Sequence, residues 1–88
     1  MTPELRFLNE VVAASTRATR ADKQAASKMA FELRGEPFVY NAYLCLVARG
    51  VATTESNVKA EAKKIARADE RHCAALSRRY AQEAESCL

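Results

Sequence analysis

The sequence has no tryptophan, two glycines, two prolines and a single histidine. Breakers this scarce leave long stretches free to be helical. No run of β-branched residues interrupts them, which argues against a sheet. One histidine leaves little metal chemistry: a closed zinc site would need His72 with all of Cys45, Cys73 and Cys87, which lie mostly far apart. An odd cysteine count without a C-x-x-C pair is a poor disulfide framework. Buried or idle thiols in a reducing compartment are the better reading. Long hydrophobic runs are also missing. The longest apolar stretch, Phe38 to Ala48, contains Asn41 and falls short of the roughly 20 residues a bilayer requires. The start carries Glu4 and Arg6 and lacks the apolar run of a signal peptide. The expectation is a cytoplasmic protein, in its own cell or a host's, with no membrane partner.

What is present is alanine and charge. The 88 residues make one domain, 1–88. A chain of this length buries only about 60–65% of the surface it exposes when unfolded. Alanine supplies much of the 49% hydrophobic content; it favours helix but contributes little buried area. Small domains of this kind are commonly completed by a metal, a disulfide or another chain.

The expected fold is all-α. Thr2-Pro3-Glu4 reads as a helix start, with a hydroxyl cap, a proline at the first helical position and an acid in the first turn. From there the pattern is helical over about 3–34, as one helix or as two broken near 16–22. Thr19-x-x-Asp22 is the capping signal that would make the break. Gly35 reads as a C-terminal stop. A short segment over about 37–48 is apolar nearly all round and should be the buried centre. Phe38, Val39, Tyr43 and Leu46 are its candidate core or interface residues; a ligand pocket at Tyr40 and Tyr43 is the alternative. Thr53-Thr54-Glu55-Ser56 opens the last helix, about 54–86, whose apolar stripe is Val58, Ala62, Ile65, Ala68, His72, Leu76, Tyr80 and Ala84. Ile65, His72 and Leu76 join the core or interface set. At 1.5 Å per residue this helix is roughly 48 Å long, against about 30 Å for a compact globule of this size. The chain alone cannot cover it, so the expectation is a dimeric helical bundle or an obligate partner.

Charge is unevenly placed. Residues 17–28 and 59–79 together hold eleven basic and four acidic side chains, a net +7; the rest of the chain is −4. If the two long segments pack antiparallel, their middles form a positive waist. Lys59, Lys63, Arg67 and Arg71 recur every four residues, with Arg78 seven further on. Each like-charge pair at that spacing costs a helix roughly 0.2–0.5 kcal/mol, so a repeated series suggests a negative partner. The bland alternative is a solvated face paired through Glu55–Lys59, Glu61–Lys64 and Arg79–Glu83.

The candidate nucleic-acid-binding residues are Lys59, Lys63, Arg67, Arg71 and Arg78, with Arg17, Arg20 and Lys23 from the first segment. Sequence-independent contact with the phosphates of duplex RNA or DNA suits such a row. The aromatic residues sit where burial is expected, which disfavours single strands. The competing reading is a protein-interaction module, a small regulator or inhibitor of the kind phages and viruses encode, docking on an acidic protein surface. No enzyme is expected, and no cofactor or small-molecule substrate. Asp69, His72 and Cys73 lie close in sequence, but Cys73 points about 100° from His72 on a helix, wrong for a nucleophile and its base. Asp69-x-x-His72 is half of a helical di-iron motif with no second copy. No glycine-rich phosphate loop is present.

Overall fold

A computed structural model describes residues 2–86, with side chains through Glu83; the side chain of Ala84, and Cys87, lie outside the described residues. The fold is all-α, four helices with no strand among the described residues: α1 (Pro3–Arg17), α2 (Arg20–Glu32), α3 (Val39–Arg49) and α4 (Glu55–Ser86).

The first segment is two helices. Ala18 turns extended, with ψ 143°. Thr19 then caps α2, its Oγ1 accepting from the Asp22 N–H at 3.1 Å. The same device opens α1 at Thr2 and α4 at Thr54, whose hydroxyl oxygens accept from the N–H groups of Leu5 and Asn57. Each cap satisfies one of the orphan donors of a first helical turn.

The α2–α3 connection departs from expectation. Gly35 is not the left-handed helix stop; α2 ends at Glu32, and Leu33 closes it through an N–H bond to the Met29 carbonyl. The left-handed residue is Phe38, at φ 65° and ψ 17°. A bulky side chain there is unusual. It is held from both ends: the ring packs on the core, and the Phe38 carbonyl accepts from the Ala42 N–H at 2.9 Å. The third helix therefore begins at Val39 rather than 37. Its far end is conventional. Gly50 adopts φ 69°, its N–H reaches the Val47 carbonyl, and the Val51 N–H reaches that of Leu46, a Schellman arrangement.

The apolar α3 lies at the centre. α1, α2 and α4 all pack on it, and α1 also packs on α4; α2 packs on α3 and only its end, at Glu32, faces Lys59 of α4 across a hollow. The core joins Val39, Ala42, Cys45 and Leu46 to Val11 and Ala14 of α1 and to Val58, Ala62 and Ile65 of α4. Burial of the Leu44, Ile65 and Val58 side chains contributes about 1.5–3 kcal/mol each. Phe38 and Tyr43 are half-buried against this cluster; His72 and Leu76 are half-buried but lie outside it.

α1 runs antiparallel to the first half of α4: Glu4 lies 3.9 Å from Arg71, while Glu10 and Glu61 share a groove further along. The 32-residue α4 then outruns the rest. The molecule measures 51 × 26 × 18 Å with a radius of gyration of 15.5 Å, where a compact chain of this length would have about 12 Å. No helix among the described residues is long and apolar enough to cross a membrane.

Candidate nucleic-acid interface

On α4 the buried positions Val58, Glu61, Ala62, Ile65 and Ala68 occupy one face. At 100° per residue, Lys63, Lys64, Arg67, Arg71 and Arg78 fall on an arc centred roughly opposite that face. All five are exposed. The four-residue row is not straight. Each step advances 40°, so Lys59, Lys63, Arg67 and Arg71 wind through about 120° around the helix.

The first two turns of this row form an open trough lined by Ser56, Lys59, Ala60, Lys63, Lys64 and Arg67. Four cations line it and no acid does. Lys59 is its least available member: Nζ is 3.0 Å from Glu55, and its other side faces a hollow lined by Glu32 and Glu36. Lys64 is 4.0 Å from Glu61, and Arg71 is 3.9 Å from Glu4. Lys63 and Arg67 carry no ion pair among the described residues. Glu70, exposed on the same arc, ends the acid-free stretch. Of the pairs expected on a solvated face, Glu55–Lys59 and Glu61–Lys64 form; Arg79–Glu83 is not among the ion pairs of the described residues.

The cations of the first segment stand apart from this trough. Arg17 ends α1 in a groove of about 360 Å³ shared with Phe7, Cys45, Arg49 and Glu61. Glu61 lies some 160° around α4 from Lys63, so Arg17 stands across the helix from the trough. Arg20 and Lys23 are at the start of α2, whose backbone stays clear of α4. The antiparallel waist needs one long first helix; the break at Ala18–Thr19 removes it.

Sequence reasoning missed the pair at the foot of that groove. Glu61 is buried, its side chain 6% exposed, and Arg49 Nη2 lies 2.6 Å from its Oε1. Contact with the Glu61 carboxylate raises the Arg49 pKa, although the approach is too oblique to give the buried Oε1 a well-formed hydrogen bond. Burial pushes the Cys45 thiol up, and the negative charge of Glu61 adds to it. A signal was present: Glu61 stands three residues after Val58 and four before Ile65, inside the apolar stripe. Glu61 turns one oxygen inward to Arg49 and keeps the expected pairing to Lys64 through the other, at 4.0 Å.

His72 is half-buried and Cys73 exposed. No three His, Cys, Asp or Glu side chains cluster in a way that would hold a metal ion among the described residues. The chain matches no known family model, no curated protein sequence and no solved structure.

Proposed function

We propose that the protein binds the phosphate backbone of duplex nucleic acid through the exposed face of α4, without reading base sequence. The observation that carries this is the acid-free trough of Lys59, Lys63, Lys64 and Arg67. Lys63, Lys64 and Arg67 form its centre, Arg71 and Arg78 extend it, and Lys59 is its edge. Arg17, Arg20 and Lys23 lie on other surfaces and are not assigned to the same contact.

Cations spaced about 6 Å apart along a rigid helix suit a ligand whose own charges are regularly spaced. A phosphate backbone has that regularity, and its neutralisation gains from counterion release. The arc carries no aromatic side chain on which a single strand would stack.

Three or four neutralised phosphates predict that binding falls about 40- to 150-fold between roughly 50 and 200 mM salt. The variant Lys63→Gln/Arg67→Gln should weaken binding evenly across sequences and flatten the salt slope by about two. Gel shifts and fluorescence anisotropy with duplex RNA and duplex DNA measure both. No retardation of either duplex at low salt overturns the proposal. Retention of an acidic polypeptide under the same conditions would then assign the face to carboxylates, the protein-docking alternative.

A further inference from the structure

Lys64, Arg67 and Arg71 stand three and four residues apart on α4, so they share one flank of the helix. That flank faces the first turns of α1. With Glu4, Phe7 and Ala68 the three cations line a cleft of about 330 Å³ between the two helices. Ala68, 8% exposed, lies at its base, and a side chain that small leaves the space above it open. The trough on the outer face is built from α4 alone; the cleft has α1 as a second wall. Its cations are loosely held. Lys64 is 4.0 Å from Glu61 and Arg71 is 3.9 Å from Glu4, both too long for hydrogen bonds.

Three cations against one acid give the cleft a net charge of +2. The anion that matches it is a phosphate monoester, which carries about −1.5 to −2 near pH 7. A phosphate within a strand carries one charge and has sugar on both sides. Such a phosphate passes over a two-walled recess, whereas a terminal one has a free end that can enter. A lone carboxylate brings a single charge and leaves the cleft half neutralised. The planar fork of arginine bonds two oxygens of a phosphate at once, so Arg67 and Arg71, with Lys64, supply donors for all the free oxygens of a monoester. Phe7, half-buried on the α1 wall, gives the sugar of a nucleotide an apolar surface to lie against. Glu4 is the one acid in the cleft and faces Arg71, so it competes with the ligand for that guanidinium.

We infer that the cleft between α1 and α4 binds a phosphate monoester, that of a nucleic-acid strand end or of a free nucleotide, through Lys64, Arg67 and Arg71, with Glu4 as a built-in competitor. Lys64 and Arg67 also belong to the trough. For a strand end the inference therefore rests on the proposed duplex binding; for a free nucleotide it stands alone.

Amide NMR titration of the full chain at fixed ionic strength tests this, with adenosine monophosphate and adenosine as a matched pair. The monophosphate should shift the amides of Glu4, Phe7, Ala68 and Arg71 along saturating curves, and adenosine should not. Glu4→Gln should tighten binding about fivefold, a gain that a damaged fold could not give. Arg71→Gln should weaken it at least about tenfold. Fluorescence anisotropy of one duplex, with terminal phosphates or terminal hydroxyls, separates the two sources. A preference of at least about fivefold for the phosphorylated duplex, lost in Arg71→Gln and kept in Lys63→Gln, assigns the cleft to a strand end. Nucleotide binding without that preference assigns it to a free nucleotide. Duplex binding with neither overturns the inference and leaves the trough standing; nucleotide binding without duplex binding does the reverse. Shifts that do not saturate, shifts that adenosine reproduces, or a Glu4→Gln variant that binds no tighter also overturn it.

Discussion

The two halves of α4 share one helix and one continuous face, yet they live in different surroundings. From Glu55 to Ala68 the stripe is closed by α1 and α3, and its members are Val58, Ala62, Ile65 and Ala68. From Asp69 onward the same face bears Asp69, His72, Leu76 and Arg79 and has no helix of its own chain against it. The charges differ in the same sense. The covered half places its cations on the outer face, away from the core, and its one inward acid, Glu61, is met by Arg49. The uncovered half mixes both signs within that face itself. A stripe that must fit a fixed core excludes charge unless it is paired. A stripe left in solvent carries no such restriction and can hold both signs of charge.

The largest break in this comparison should come from truncating one apolar residue in each half. Ile65 is 1% exposed. Ile65→Ala should cost about 3–4 kcal/mol in urea unfolding, the lost transfer energy plus the cavity left behind. Leu76→Ala, in dilute solution where the chain is monomeric, should cost less than about 1 kcal/mol. Equal losses would mean that the far half of α4 is packed within the monomer, and the distinction would fall.

The next effect sharpens the electrostatic side. Arg49→Ala leaves the buried Glu61 carboxylate with only Lys64 at 4.0 Å. Orphaning a fully buried charge costs about 3–5 kcal/mol, but Arg49 is 47% exposed and the groove beside it admits water, so about 2 kcal/mol is expected. Arg49→Ala/Glu61→Leu should recover most of it, since replacing both partners with an apolar group is often neutral. Unfolding titrations of the three proteins decide it. The smallest effect is Thr54→Ala, which removes the cap on Asn57 and should cost about 1 kcal/mol without altering binding to a duplex at equal folded concentration.

Much of the helical framework was legible along the chain because its signals are local. A threonine hydroxyl two or three residues ahead of an orphan N–H stops or starts a helix wherever it stands, and Thr2, Thr19 and Thr54 all do so. The apolar density of residues 38–47 marked the central helix for the same reason. Gly35 misled because a glycine permits the left-handed conformation without requiring it; the packing of the Phe38 ring moved that conformation three residues along. Within the candidate site the cationic row on α4 was legible as a spacing. What it did not reveal was which members were already satisfied, because Glu4, Glu32 and Glu36 approach it from other helices and loops.

The sequence by itself determined that this protein is helical, where most of its helices begin, and that the last one is longer than the chain can cover. Those are consequences of hydrogen bonds and side-chain periods reaching no further than a turn or two. Tertiary structure alone decided that Glu61 is a buried partner rather than a surface one, that Arg17, Arg20 and Lys23 lie apart from the trough, and where along α4 the covering ends. Each of these depends on which helix face meets which. A small error in one turn's direction redirects a whole helix, and only the closed core of α1, α3 and α4 fixes that choice.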